Sequence, residues 1–153
     1  MKLLLLLLVV MMAACSNSNG DSEELSYSRG VVTVETIPGH AIEFDVEIPM
    51  TWEGFRQGLI NRRQLDKTKG MLFIYSESGE RSFWMKNTLI PLDMIFIDEN
   101  QTIVNIETAF PCRNDPCPSY LSVRPAQFVL EINAGLAKAN NITAGNKVWI
   151  KVE

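Results

Sequence analysis

Two carboxylate residues, Asp93 and Glu131, have the clearest capacity for chemistry in this sequence. Asp93 lies in residues 92–97, a run that is otherwise apolar, and a carboxylate buried in such a run needs charged or hydrogen-bonding partners. The site would be either a ligand or acid–base centre or a closed polar network that holds the preceding loop. We favour the network, because structural ion pairs also perturb carboxylates. The candidate partners are Lys86, Asn87, Arg56 and Arg62.

Glu131 lies in the predicted strand 127–132, on the face opposite the apolar residues of that strand. A pair of carboxylates is the usual machinery of glycoside hydrolysis, so Asp93 and Glu131 together suggest a hydrolase of cell-envelope glycans. The alternative is a solvent-exposed Glu131, which is the commoner environment of a strand glutamate. We favour the exposed position and assign no catalytic residue.

Aromatic and sulfur-containing side chains surround the same region. Phe83, Trp84, Met85 and Met94 could form the wall of a pocket or a platform for a sugar, although core packing is the favoured interpretation. A neighbouring run of four cations is more typical of a solvated loop than of a phosphate site, and it contains Arg62, Arg63, Lys67 and Lys69. The predicted ligand-binding candidates are Arg62, Trp84, Lys86, Asn87, Asp93 and Glu131.

The amino terminus has the pattern of an export signal. Lys2 precedes an apolar run over residues 3–14, which is shorter than the roughly 20 residues that a membrane-spanning helix needs. The small residues before Cys15 resemble the lipobox of bacterial lipoproteins, in which lipid is attached to the cysteine. We predict a signal peptide over residues 1–14 and a lipid anchor on Cys15, with an ordinary secreted protein as the alternative. Ser16 would sort the protein to the outer membrane, facing the periplasm, in a double-membraned host.

The other two cysteines, Cys112 and Cys117, lie in a proline-rich loop. One even pair in an exported chain favours a disulfide. A metal or redox site is the alternative, but a metal would need further ligands, and the single histidine, His40, lies in a distant turn. We therefore predict a disulfide, with no metal site and no cofactor.

The remaining chain fits one domain. Residues 15–28 have almost nothing to bury, so we predict the lipidated cysteine followed by a flexible tether. Residues 29–153 form the single domain. The formal net charge of -4 disfavours binding to nucleic acid. The expected partners are the membrane, through the lipid, and a small molecule, a glycan or a protein.

Short β-branched runs separated by turns predict a mainly β fold. Residues 31–37 and 41–48 read as a hairpin. Thr51 can cap a short helix that begins at Trp52, has Trp52, Phe55 and Leu59 on one face and ends at Gly58. Asn133 can cap a second helix over residues 134–140. About eight short strands with two short helices predict a compact single-domain β-barrel or sandwich.

A larger set of motifs is spread along the chain, namely Gly58-Leu59, Arg62, Leu65, residues 70–73, residues 83–93, residues 95–98, residues 129–131, Gly135 and Gly145. Together these motifs resemble the domain of unknown function 192 family, across roughly residues 31–152. The resemblance implies one β-rich domain, often exported or lipid-anchored, often with a cysteine pair in the proline-rich loop, and with no established activity. The leading hypothesis is therefore a non-catalytic envelope lipoprotein that binds a ligand or partner around residues 84–93.

Overall fold

The computed structural model describes residues 25–153. The predicted signal peptide, Cys15 and most of the predicted tether lie outside the described residues. The first strand begins at Tyr27, two residues before the predicted domain boundary.

Nine strands and two short helices make up residues 25–153. In chain order they are β1 (Tyr27–Ile37), β2 (His40–Pro49), α1 (Trp52–Gln57), β3 (Lys69–Gly79), β4 (Ser82–Trp84), β5 (Leu92–Ile97), β6 (Ile103–Ala109), β7 (Ser119–Leu121), β8 (Ala126–Asn133), α2 (Leu136–Ala139) and β9 (Lys147–Val152). In this part of the chain, no helix has the length and apolar character needed to cross a membrane.

Seven strands form one sheet in the order β6-β5-β8-β3-β2-β1-β9. The pairs are antiparallel except β2 with β3, which are parallel because α1 and the loop after it return the chain to the same end of the sheet. The outer strands β6 and β9 are not paired along their length, and an isolated bridge joins Lys147 only to Thr102, just before β6, so the sheet is not a closed barrel. The mainly β prediction with two short helices is confirmed.

The centre of the large sheet, at β5 and β8, is buried on both faces. Every residue of β5 is buried, as its continuous apolar run predicts. Alternate side chains enter two separate cores. The first core includes Val32, Phe44, Ile95, Leu130 and Ile132, and the second includes Leu59, Met71, Phe73, Met94, Phe96 and Val129. The small β4–β7 sheet covers part of the second core through Phe83 and Tyr120.

The first helix starts and stops where the sequence predicts. The Thr51 hydroxyl accepts a hydrogen bond from the Gly54 amide at 3.2 Å, and Gly58 ends the helix with a φ of 46°, a conformation that favours glycine. The prediction that Trp52 shares a buried face with Leu59 is wrong. Trp52 is 68% exposed, whereas Leu59 is buried.

The second helix departs from the predicted cap. It begins at Leu136 after Gly135, which has a φ of 85°, and no side chain caps it at that position. Asn133 instead ends β8, and its amide donates to the Leu65 carbonyl at 2.8 Å. The long proline-rich loop also contains the three-residue strand β7, which the sequence does not reveal because its pattern is too short.

The disulfide prediction is confirmed. Cys112 and Cys117 are bonded, with their Cα atoms 5.8 Å apart. The Cys112 amide donates to the Met85 carbonyl at 3.2 Å, and its carbonyl accepts from the Asn87 amide at the same distance. The stapled loop therefore holds the segment that follows β4.

Candidate functional site

A cleft of about 500 Å³ opens between α1, the turn after α1, and the second-core face of the sheet. Its size lies within the range of small-molecule sites. Six of its lining residues are aromatic, namely Trp52, Phe55, Phe73, Tyr75, Phe83 and Trp84. Glu131 is its lining residue from β8.

Edge-to-face contacts order the aromatic wall. The ring centroid of Phe55 lies 5.7 Å from that of Phe73 and 5.5 Å from that of Tyr75. Phe73 also meets Phe83 at 5.1 Å. Such contacts stabilise aromatic pairs beyond the burial of their area and restrict ring motion. Because α1, β3 and β4 each contribute a ring, the wall exists only once these elements have assembled.

Glu131 lies at the floor of this cleft. In the register of the sheet it stands between Met71 of β3 and Met94 of β5, and it is only 5% exposed. The prediction of an exposed strand glutamate is therefore wrong. Strand alternation turns Glu131 away from the first core, so its side chain would be exposed only if the other face of the sheet were open to water. In the structure a second core covers that face.

Burial raises the pKa of the Glu131 carboxyl group to about 8, and no other cause contributes. The group is therefore mostly protonated at neutral pH. The nearby Tyr75 hydroxyl also has a raised pKa, chiefly because of burial; the Arg81 charge lowers this pKa and the Glu131 charge raises it, each by less than burial does. Glu131 and Tyr75 are thus two ionisable groups of one poorly hydrated site.

The Glu131 carboxyl group has no hydrogen-bond or ion-pair partner among residues 25–153. In the same part of the chain, every side-chain nitrogen or oxygen that is sealed from solvent does have a hydrogen-bond partner. The Glu131 oxygens must therefore retain access to the cleft. An unpartnered carboxyl group opening into an aromatic cleft has the character of a recognition group.

Asp93 has a different environment. It is 1% exposed, and one of its oxygens accepts from the Thr108 hydroxyl at 2.7 Å while the other accepts from the Ala137 amide at 2.9 Å. This carboxylate therefore holds the first turn of α2 against the sheet. The geometry is that of a closed polar network, as favoured, but this network holds α2 and not the preceding loop, and the predicted partners Lys86, Asn87, Arg56 and Arg62 are wrong.

The two carboxylates do not share a cleft. Asp93 is paired with Ile132, and Met94 is paired with Glu131. Since neighbouring residues of a strand point to opposite faces, Asp93 and Glu131 lie on opposite sides of the sheet. Glycoside hydrolysis needs both carboxyl groups beside one bond. Asp93 and Glu131 therefore do not form the carboxylate pair that the glycan-hydrolase hypothesis requires.

The other predicted site residues hold the structure around the cleft. Arg62 forms a two-pronged ion pair with Glu47, in which the Nη1 to Oε1 distance is 2.7 Å. Lys86 forms an ion pair with Asp115. Asn87 adopts a φ of 61°, and its carbonyl accepts from the Asn61 amide at 3.0 Å. Of the six candidates, only Trp84 and Glu131 line the cleft.

Sequence reasoning missed the contribution of α1 and β3. Phe55 and Tyr75 pack edge to face in the wall of the cleft, and the buried Thr88 also lines it. The aromatic alternation of Phe73 and Tyr75 in β3 was the available signal. The pairing of that strand with α1 depends on tertiary contacts and leaves no local pattern. Residues 25–153 contain no group of three or more His, Cys, Asp or Glu residues that could hold a metal ion.

Comparisons with known proteins identify a family and no activity. The model of the domain of unknown function 192, described as "Uncharacterized ACR", matches residues 33–150. A solved structure from Sinorhizobium meliloti 1021, described as a candidate transcription regulator, is 36% identical with a TM-score of 0.75, and the match covers 82% of this chain and 96% of that one. A protein of unknown function from Novosphingobium aromaticivorans DSM 12444 is 33% identical with a TM-score of 0.72, and the match covers 84% and 89% of the two chains. No curated protein matches.

Proposed function

Since the chain belongs to the domain of unknown function 192 family, whose description names no activity, we propose a function from the cleft itself. The domain is a non-catalytic binding protein that holds a small, largely apolar molecule between α1 and the sheet. The observation that carries this proposal is Glu131, a buried carboxyl group that has no partner in the described part of the chain and faces an aromatic cleft. Such a group adds no stability to the fold, because burial removes hydration from its charged form and no cation or donor among residues 25–153 replaces it.

The chemistry around Glu131 favours binding over catalysis. The other carboxyl group that lines the cleft, Glu53, forms an ion pair with Arg56 at 3.4 Å. Ser82 is the one serine, cysteine or histidine in the lining, and among residues 25–153 no hydrogen bond joins its hydroxyl to Glu131 as a nucleophile would be joined to its base. The aromatic rings instead offer large, rigid contact surfaces with little conformational freedom to lose on binding.

We also propose that the domain is an envelope lipoprotein anchored through Cys15, facing the periplasm where the host has two membranes. The signal-like residues 1–14 and the lipobox-like cysteine support this proposal. The Ser26 carbonyl accepts from the Met50 amide at 2.9 Å, so the chain enters the domain beside α1, next to one wall of the cleft. Cys15→Ala should abolish labelling by a palmitate analogue. Equal labelling of this variant would contradict the anchor.

The binding proposal is tested with the full chain reconstituted in phosphatidylcholine vesicles. Trp52 and Trp84 line the cleft, whereas Trp149 lies on the edge strand β9, so tryptophan fluorescence reports occupancy. A library of small aromatic and aliphatic compounds should contain molecules that change this emission and raise the unfolding temperature. Trp84→Phe should reduce the signal, and the matched control Trp149→Phe should preserve it. A library without any binder would contradict the proposal.

A further inference from the structure

A row of acidic and sulfur-containing residues crosses the second-core face of the sheet. Strand register places Glu47 opposite Met71, Met71 opposite Glu131, Glu131 opposite Met94, and Met94 opposite Glu107. Directly opposed residues share a face, so the three glutamates of this row point to the same side. We call them the acid row.

The members of the acid row differ in their partners. Glu47 is half-buried and has the guanidinium of Arg62, which holds the pKa of its carboxyl group below the usual range. Glu107 is also half-buried and accepts from the Asn105 amide at 3.3 Å. Glu131, in the centre, is the most buried of the three and has neither a cation nor a donor among residues 25–153. The position that Arg62 fills beside Glu47 therefore has no equivalent beside Glu131.

The walls above Glu131 have the electrostatic character of a cation site. Aromatic faces carry partial negative charge and attract ammonium and guanidinium groups. Two rings of the cleft already contact cations of the chain: Arg81 lies 3.7 Å from the ring centroid of Tyr75, and Lys86 lies 5.8 Å from that of Trp84. These two cations make the same type of contact that a bound ammonium ion could make deeper in the cleft.

Few charged groups face Glu131 from the elements around it. From α1 come Glu53 and Arg56, which are paired with each other. From β3 comes the Tyr75 hydroxyl, and the β5 residue opposite Glu131 is Met94, which does not titrate. None of these groups supplies a positive charge at the floor, while the net charge of -4 attracts cations to the protein.

From this arrangement we propose that the cleft binds an organic ammonium ion with an aromatic or branched apolar body, and that Glu131 is the carboxylate that recognises its charge. This inference rests on the proposed binding function and names the ligand class. The apolar body stacks between Phe55, Phe83 and Trp84, and the ammonium group lies over Glu131.

Binding is coupled to the release of one proton. With a pKa of about 8, about nine in ten Glu131 carboxyl groups are protonated at pH 7. When the cation enters, the carboxyl O–H bond breaks, the proton passes to the buffer and the carboxylate keeps the electron pair. Affinity for a permanent cation should therefore rise about tenfold from pH 7 to pH 9, because the ionised fraction rises by that factor. A neutral ligand that accepts a hydrogen bond should show the opposite trend.

The test uses benzyltrimethylammonium, whose charge does not depend on pH, and the uncharged 2-phenylethanol. The full chain in phosphatidylcholine vesicles is titrated with each compound from pH 6 to pH 9.5, with tryptophan emission as the readout. We expect the cation to bind more tightly than the alcohol, and its affinity to rise about tenfold from pH 7 to pH 9. Calorimetry at pH 7 in two buffers of different ionisation enthalpy should show that binding releases about one proton. The calorimetric result needs no variant and stands even if a variant fails to fold.

Two variants of the acid row sharpen the test. Glu131→Gln keeps the size of the side chain but cannot ionise, so it should lose the pH dependence and the preference for the cation. The matched control Glu107→Gln should keep both. Equal, pH-independent binding of both compounds by the unmodified chain would overturn the ammonium assignment while leaving the binding function intact. Binding of neither compound would overturn the assignment as well, and failure of the whole library would remove the binding function itself.

Discussion

The β5–β8 strand pair carries one buried carboxyl group on each face, and the two groups differ in their hydrogen-bond partners. On the first-core face, Asp93 accepts hydrogen bonds from the Thr108 hydroxyl and the Ala137 amide, and it fastens α2 to the sheet. On the second-core face, Glu131 has no partner in the described part of the chain, and burial raises its pKa to about 8. The contrast separates a carboxylate that stabilises the fold from one that the fold tolerates. A group of the second kind is the better candidate for function.

The largest predicted difference between the two faces lies in the pH dependence of stability. Glu131 ionises near 4.5 in the unfolded chain and near 8 in the folded chain. Between these values the unfolded state binds fewer protons, so the free energy of unfolding falls as pH rises. The stability advantage of Glu131→Met over the unmodified chain should therefore grow by up to about 4 kcal/mol between pH 5 and pH 8. Urea unfolding of both proteins at several pH values measures this, and a constant difference would show that Glu131 is hydrated.

Removal of the other carboxylate, Asp93, should lower the free energy of unfolding, whereas removal of Glu131 should raise it. Asp93→Ala leaves the buried Ala137 amide without an acceptor, so the free energy of unfolding should fall by about 3 kcal/mol. Asp93→Asn retains one acceptor oxygen, so its free energy of unfolding should fall by roughly half of that amount. Chemical denaturation measures both. If Asp93→Ala were as stable as the unmodified chain, the network on the first-core face would not be the structural contact that its geometry indicates.

Loss of the disulfide should lower stability by a smaller amount and should loosen only the side of the sheet that carries the cleft. Replacing Cys112 and Cys117 by Ser together should lower stability by about 2 kcal/mol, as loop-closure entropy predicts for a short ring. Because the stapled loop contacts the segment after β4, amide exchange should accelerate around Met85 and Asn87 and stay unchanged around α2. Uniform acceleration across both regions would contradict this separation.

The smallest effect concerns Arg62, which gives Glu47 the cation that Glu131 lacks. Arg62→Met should lower stability by less than about 1 kcal/mol, because both partners are partly exposed and solvent screens the pair. The pKa of Glu47 is lowered in the folded state, so this contribution is present above the ordinary glutamate pKa and is lost as pH falls through the folded value. Thermal unfolding at pH 7 and pH 3 tests this. A loss as large at pH 3 as at pH 7 would mean that Arg62 acts through packing.

Much of the fold follows from local patterns. The alternation in β1 and β2 predicts their hairpin, the continuous apolar run of β5 predicts a strand buried on both faces, and Thr51 with Gly58 defines the ends of α1. Each of these signals depends on neighbours within a few residues. The lipid anchor on Cys15 and the tether remain predictions, since they lie outside the described residues.

The site could be predicted only in part. Trp84 and Glu131 were candidates, but Glu131 was expected on an open face and Asp93 was expected beside Lys86 and Asn87. A strand pattern shows which residues share a face, and it does not show whether another layer covers that face. The cover over Glu131 comes from α1, the β4–β7 sheet and the turn around Leu59, all distant in sequence.

By itself, the sequence determined the mainly β architecture, the disulfide and the two carboxylates that matter, because residue type, spacing and periodicity are local properties. Only the tertiary structure decided which carboxylate has partners and which faces a cleft. Strand register placed Asp93 and Glu131 on opposite faces, and the packing of α1 and β4 turned one of those faces into an aromatic site. Register and layer packing are set by contacts between distant residues, so they appear only when the chain has folded.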